Sequence, residues 1–185
     1  MAETSIEWTH PPGFRGETWN PINGCEKISP GCRECYAEKI AARFGGPGQP
    51  FHGTVDERGR FIGPILVPEK LAEPLKRRAP TCWFVNSMSD LFHEAVPDEY
   101  IAAVFGVMAA SPRHRFIVLT KRAERMRRWF QWLDGVVTKG EADVQRLTGT
   151  SLGLSGHRLA CLSAAASRLQ TPEGDANAIF YGVGE

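Results

Sequence analysis

Two hydrophobic periods alternate along this chain. Apolar residues crowd together at Thr81-Cys82-Trp83-Phe84-Val85-Asn86 and at Arg115-Phe116-Ile117-Val118-Leu119-Thr120. Short β-prone runs of this kind mark strands of a parallel sheet covered on both faces. Helical spacing takes over elsewhere. Tyr36, Ile40, Ala41 and Phe44 recur at i, i+4, i+5 and i+8, and Gly45-Gly46-Pro47 stops that helix. Pro97-Asp98-Glu99 opens a second helix with the proline and acids that a first turn favours. Its apolar stripe is Ile101, Val104, Phe105 and Met108, and Ser111-Pro112 ends it. Lys121 to Leu133 predicts a third helix. Residues 18–24 predict a short strand running into a cysteine-bearing loop, and Glu69–Arg78 a short helix kinked or ended by Pro74. Ser87 to Ala95 reads as a polar loop.

Strand, loop and helix thus recur three times, which predicts βαβ units and an α/β fold with a parallel sheet. Chemistry in such folds gathers at the carboxyl ends of the strands. Those ends are Asn20–Cys25, Asn86–Asp90 and Thr120–Arg122. Beyond Asp134 the chain turns rich in Gly, Ala, Ser, Leu and Thr, with one helical stretch expected at Arg158–Leu169. Three units make only part of an eight-unit barrel, which takes ~250 residues. The expected architecture is therefore a truncated, partial TIM-like barrel over residues 1–133, followed by a divergent tail over 134–185.

Composition narrows the class. A hydrophobic share of 42% and a charged share of 23% exclude a mainly disordered chain, collagen and coiled coil. Twenty-two Lys and Arg against 21 Asp and Glu leave a net charge of +1, so no global field draws the chain to nucleic acid or anionic membrane. The longest apolar run, Ile101 to Ala110, is too short to cross a bilayer. No apolar segment follows a basic start at the N-terminus, so a cytoplasmic location is expected. Five cysteines, an odd number, then argue against a disulfide scaffold and for metal or reactive thiols.

Three of the five lie in Cys25-Glu-Lys-Ile-Ser-Pro-Gly-Cys32-Arg-Glu-Cys35, a C-x6-C-x2-C spacing. Two cysteines separated by two residues can aim both sulfurs at one centre, and the Pro30-Gly31 turn lets the third join them. Three thiolates are one short of closed tetrahedral coordination. One reading is an iron–sulfur cluster with one iron left open, its charge offset by Lys27 and Arg33. A second is structural zinc, with Cys82, His52 or His93 as fourth ligand. The third is three buried free thiols.

A wider set of motifs bears on the choice. Ser5-Ile6-Glu7-Trp8-Thr9, Thr18-Trp19-Asn20-Pro21, the cysteine segment through Cys35-Tyr36-Ala37-Glu38, Phe84 to His93 and Val118-Leu119-Thr120-Lys121-Arg122 follow one another over residues 5–133. On these the chain resembles a phage- and prophage-associated family of unknown function, itself similar to the radical-SAM superfamily. The resemblance implies a TIM-like partial barrel in which Cys25, Cys32 and Cys35 ligate a [4Fe-4S] cluster. It also implies S-adenosylmethionine as cosubstrate, flavodoxin or ferredoxin as electron donor, and reductive cleavage acting on an unknown substrate. The first cysteine gap departs from the commonest superfamily spacing, six residues instead of three, and Tyr36 follows the third cysteine. Residues 10–17 read as an insertion between the two tryptophan motifs.

Two polar groups extend the candidate site. By the same resemblance Asn86, Ser87, Ser89 and Asp90 stand where radical-SAM barrels bind the amino group of the cofactor, although these residue types also favour turns and caps. Lys121 and Arg122 end the third strand, where a cation would pair with a carboxylate or phosphate. Seven cations between Arg113 and Arg128, followed by Trp129, Phe130 and Trp132, make a candidate nucleic-acid strip, with a solvated helix face as the alternative. The five histidines show no metal-ligand spacing among themselves.

Overall fold

A computed structural model describes residues 4–148, with side chains described as far as Val136. The stretch expected to be helical at Arg158–Leu169 and the remainder of the tail lie outside the described residues. The central element is a parallel sheet of three strands, β1 (Arg15–Trp19), β4 (Thr81–Val85) and β5 (Arg115–Val118), in the order β1-β4-β5. A two-residue strand β2 (Ile22–Asn23) pairs antiparallel with β3 (Ile65–Leu66) beside it. The helices are α1 (Tyr36–Arg43), α2 (Glu73–Lys76), α3 (Asp98–Ala109) and α4 (Ala123–Thr148). The fold is mixed α/β, and no closed barrel forms among the described residues.

β4 lies between two strands, and all five of its residues are buried. Its side chains alternate in the way a strand dictates. Trp83 and Val85 join Trp19, Tyr100, Val104, Val107 and Trp129 in the main core, whereas Phe84 meets Trp8 edge-on, ring centroids 4.8 Å apart. Each large apolar side chain buried this way contributes ~2–3 kcal/mol. α3 departs from the single stripe its sequence suggested. Tyr100 to Val104 and Val107 are all buried, while Phe105 and Met108 are only partly covered. An apolar run of this density serves a helix packed on most of its circumference.

Several element bounds differ from the sequence reading. The strand expected at 18–24 is two strands, broken at Asn20-Pro21, where proline lacks the N–H that a ladder needs. β1 also starts earlier, so Arg15-Gly16-Glu17 of the supposed insertion are strand. Glu69–Arg78 resolves into a 3-10 turn at Pro68–Lys70 and the four-residue α2, each with a proline in its first turn. The helix expected to end at Leu133 continues to Thr148. The loop after β4 is far from solvated, since Leu91, Phe92 and Val96 are buried in the core.

Two buried groups pin the amino-terminal edge of the sheet. Glu17, 1% exposed, pairs with Arg77. His114, 4% exposed, accepts the Thr81 N–H on Nδ1 at 3.2 Å and donates from Nε2 to the Pro74 carbonyl at 3.0 Å. Burial, more than any other influence, holds this imidazole below its usual pKa of 6.5. The folded state therefore keeps His114 neutral at a pH where the unfolded chain already binds a proton, and stability present above pH 6.5 is lost as pH falls below it. His93 is depressed for the same leading reason and acts with the same sign. The expected result is an unfolding midpoint that is level just above pH 6.5 and falls below it, less steeply in His114→Gln. An equal slope in both proteins would show that this histidine is not responsible.

Candidate metal and cofactor site

The carboxyl ends of β2, β4 and β5 converge, as the sequence reading required. Gly24 makes the first approach. Its φ is +81°, a Cβ there would stand 2.3 Å from the Gly63 carbonyl oxygen, and its N–H donates to the Met88 carbonyl at 3.1 Å. Only glycine fits such a position, and it sets Cys25 beside the loop that follows β4. Cys32 closes a 3-10 turn at Pro30–Cys32, and Cys35 is the residue that caps α1. All three thiols are free and partly exposed. Lys27 ties this segment to α1 through Glu38, N to O 2.6 Å, so it is already paired with a carboxylate.

The cations that face the sulfurs come instead from the end of β5. Lys121 Nζ lies 3.6 Å from Cys32 Sγ and donates to the Gly31 carbonyl at 2.8 Å. Arg122 Nη1 lies 3.7 Å from Cys25 Sγ, and Nη2 donates to the Glu26 carbonyl at 3.1 Å. Burial alone raises the Cys32 thiol, but hydrogen bonds from Ile28 and Ser29, with Lys121 beside them, outweigh it and bring the group to about 7. At Cys25 burial wins over Arg122, and the thiol titrates above its usual value. Of these two, Cys32 is therefore the readier thiolate ligand.

Asp90 organises the arrangement. Oδ1 accepts from Phe92 N–H at 3.0 Å and from the Thr120 hydroxyl at 2.7 Å, while Oδ2 accepts from Lys121 N–H and Arg122 Nη1, both at 3.2 Å. Asp90 and Arg122 are 6% and 8% exposed, a nearly dry ion pair that welds the ends of β4 and β5 together. Ser87 and Ser89 are also committed to structure. The Ser87 hydroxyl and Met88 N–H both donate to Asn20 Oδ1 at 3.1 Å, and the Ser89 hydroxyl donates to the Ile22 carbonyl at 2.8 Å.

Asn86 is different. It sits at the end of β4 with φ at +57°, is 3% exposed, and neither its amide nitrogen nor its oxygen has a hydrogen-bond partner among the described residues. Buried amides are nearly always satisfied, and non-glycine residues in this region concentrate at functional sites. Asn86→Gly is expected to hold or raise the denaturant midpoint, by up to about 1 kcal/mol of stability, because glycine adopts positive φ without strain. A clear loss of stability would assign the amide a structural role.

Sequence reasoning overlooked three contributors. Tyr36 donates its hydroxyl to the Ser87 carbonyl at 2.6 Å and so braces the cysteine-bearing helix against the turn after β4. Asn20 holds that turn from β1, and Thr120 anchors Asp90. Asn20 and Thr120 fall inside quoted motifs, but only contacts 67 and 30 residues away in sequence reveal their use. Of the fourth ligands considered for zinc, Cys82 lies within β4, and the His52 ring contacts the Gly45 carbonyl at 3.3 Å. His93 is the near one, its Nε2 3.7 Å from a Glu26 carboxylate oxygen. Among the described residues no three His, Cys, Asp or Glu side chains form a group that would hold a metal ion. The donor chemistry fits a thiolate-held group, since three free cysteines share one loop and two have cations against their sulfurs. Ligation therefore asks residues 25–35 to draw their thiols together.

The basic strip is largely neutralised. Arg125 meets Asp98 at 2.7 Å and Glu94 at 3.5 Å, Arg128 meets Glu94 at 2.8 Å, and Arg127 pairs with Glu124 one turn away. Trp129 is core, not a stacking platform. No helix among the described residues is long and apolar enough to cross a membrane.

The chain belongs to DUF5131, a family described as a protein of unknown function, whose model matches residues 3–156. No curated protein and no solved structure matches it.

Proposed function

We propose that this is an iron–sulfur protein of radical-SAM type, in which Cys25, Cys32 and Cys35 hold a [4Fe-4S] cluster at the carboxyl end of a partial TIM-like barrel. The observation that carries this reading is the pairing of Cys25 with Arg122 and of Cys32 with Lys121, adjacent cations reaching the thiol loop from the end of β5. At Cys32 the positive charge helps favour the thiolate form that metal ligands need, and at both sulfurs it would offset the charge of a bound cluster. When bound and reduced by a flavodoxin or ferredoxin, such a cluster supplies one electron to the sulfonium of S-adenosylmethionine, for radical chemistry on a substrate yet to be identified.

The chain's own residues bind and orient. Asp90 fixes the guanidinium of Arg122, Tyr36 and Asn20 fix the turn after β4, and the free amide of Asn86 offers a donor and an acceptor to the cofactor's amino-acid end. Ser87, Ser89 and Asp90, given as binding residues by the resemblance, act in this reading through the shape of the turn. The phage setting implied by the same resemblance fits a small accessory enzyme of the cytoplasm. The residues this reading uses all fall within 1–133.

Metal content tests the proposal. Protein purified without oxygen is expected to contain about four irons and matching sulfide per chain, with a broad visible band bleached by dithionite. Stoichiometric zinc in a colourless protein would replace this reading with a structural module whose fourth ligand is His93, the candidate imidazole that faces the Glu26 carboxylate. In this alternative the zinc module is non-catalytic and binds nucleic acid. Its further mark would be salt-dependent binding to DNA or RNA, lost in a variant carrying Arg125→Glu, Arg127→Glu and Arg128→Glu.

A further inference from the structure

Six cations collect at the amino end of the sheet. Arg15 opens β1, Lys76-Arg77-Arg78 lead from α2 toward β4, and Arg113 and Arg115 stand at the start of β5. Residues 11–15, 74–80 and 111–115, which carry them, hold no Asp or Glu. The parallel register brings the segments side by side, Arg15 level with Thr81 and Cys82 level with Arg115. His114 ties two of them together, since its Nε2 meets the Pro74 carbonyl and the charges of Arg113 and Arg77 both reach its ring. The acids closest to these segments along the chain are Glu17, buried against Arg77, and Glu73, in the first turn of α2. Among the described residues no carboxylate pairs with Arg15, Lys76, Arg78, Arg113 or Arg115, and all five side chains belong to exposed residues.

Aromatic surface adjoins these cations. The Arg115 guanidinium lies over the Phe14 ring, 4.4 Å from its centroid. Trp8, edge-on to Phe84, leaves 48% of its surface exposed. Trp8, Pro11, Ser111, Pro112 and Arg115 share the wall of a cavity of about 950 Å³ that runs along β5. In that wall the Ser111 hydroxyl, on a residue 3% exposed, has no hydrogen-bond partner among the described residues. A buried hydroxyl is normally satisfied, so this one is free for a ligand. The cationic strip on α4 offers neither feature, because Arg125, Arg127 and Arg128 are paired with acids and Trp129 is core.

We propose that this amino-terminal edge of the sheet binds single-stranded nucleic acid, with Arg78, Arg113 and Arg115 on its phosphates and Trp8 stacked on a base. Unpaired cations beside an exposed ring hold a single strand in this way, whereas a duplex keeps its bases stacked on one another. A lipid surface has no base for Trp8 and would ask for apolar side chains projecting past the cations. With a net charge of +1 no wider field assists, so the binding is local and falls steeply with salt. The surface lies at the opposite ends of the strands from the thiols, and the inference is independent of what the cysteines bind.

Fluorescence anisotropy of a labelled oligothymidine titrated with the full chain tests it. Three phosphate contacts predict a slope of log affinity against log salt of about −2. Arg78→Glu with Arg113→Glu is expected to weaken binding by about tenfold or more, while Arg127→Glu with Arg128→Glu, the same change in net charge made on α4, stays within about twofold of the wild type. Trp8→Ala is expected to cost about fivefold or more and Trp8→Phe to keep most of the affinity. Thermal melts check that each variant is folded. No binding by the wild-type chain at low salt would overturn the proposal whatever the variants do. Equal losses in the two double variants, or a loss confined to the α4 pair, would overturn it too. So would tighter binding to duplex DNA, or to vesicles of phosphatidylserine and phosphatidylcholine, than to the oligothymidine.

Discussion

Asp90→Ala is expected to destabilise the protein by about 3–5 kcal/mol, because it removes one partner of a buried ion pair and leaves Arg122 charged and unpaired in a dry site. In a domain of this size that is a large share of the total, and it lowers the unfolding midpoint by roughly 10 °C. The loss exceeds a single interaction since both carboxylate oxygens accept two hydrogen bonds each, from Phe92, Thr120, Lys121 and Arg122. Asp90→Asn keeps the shape but turns an NH₂ group toward donors, so it is expected to recover only part of the loss. Replacing the pair together, Asp90→Leu with Arg122→Met, is expected to be milder than Asp90→Ala alone, as apolar substitutes remove the stranded charge. Thermal melts of the four proteins decide this. A loss below about 1 kcal/mol in Asp90→Ala would mean that the pair is effectively solvated.

The same network shows which parts of the protein local sequence could reveal. β4 and β5 were legible because their apolar runs are short and bounded by polar residues, and a buried parallel strand has no other pattern. The spacing shows that three cysteines share one loop, but among the described residues their thiols do not meet as a metal-holding group. The bounds of β1 were not, since Arg15-Gly16-Glu17 carries no apolar residue. Its place in the sheet is set by register with Thr81, Cys82 and Trp83, 66 residues on, and by burial of Glu17 against Arg77. α2 was overestimated because Pro68 and Pro74 each restart a turn that the helical pattern alone would continue. At the site, Lys27 and Arg33 seemed the natural counter-charges by proximity in sequence. The fold gives Lys27 to Glu38 and brings Lys121 and Arg122 across about 90 residues instead. Such pairings come from where strands end, which no local pattern contains. Asn86 illustrates the converse. Its residue type leaves a turn and a binding role both open, and burial with positive φ and no hydrogen-bond partner among the described residues sets its side chain apart from the turn-forming serines.

If the proposed cluster is held by these thiols, Cys32→Ala is expected to abolish its incorporation, taking iron from about four per chain to below about one and removing the visible band, since two thiolates would leave two of the four irons without a protein ligand. The effect on folding runs the other way. Cys32 is partly exposed and its thiol meets Ile28, Ser29 and Lys121 at the surface of the loop, so the apoprotein's unfolding midpoint is expected to stay within about 0.5 kcal/mol of the wild type. That contrast separates a ligand from a packing residue, and Cys82→Ala supplies the control. Cys82 is buried within β4, so its loss is expected to lower stability while iron content holds. Lys121→Met and Arg122→Met complete the series. Neither removes a ligand, so both are expected to retain iron while shifting the reduction potential to more negative values, because a cation withdrawn from the sulfurs disfavours the added electron. Arg122→Met also strands Asp90 and is expected to melt earlier than Lys121→Met. Equal iron in Cys32→Ala and wild type would take Cys32 out of the ligand set. A potential unmoved in Lys121→Met would mean that this cation serves the Gly31 carbonyl and the loop it holds, and not the metal.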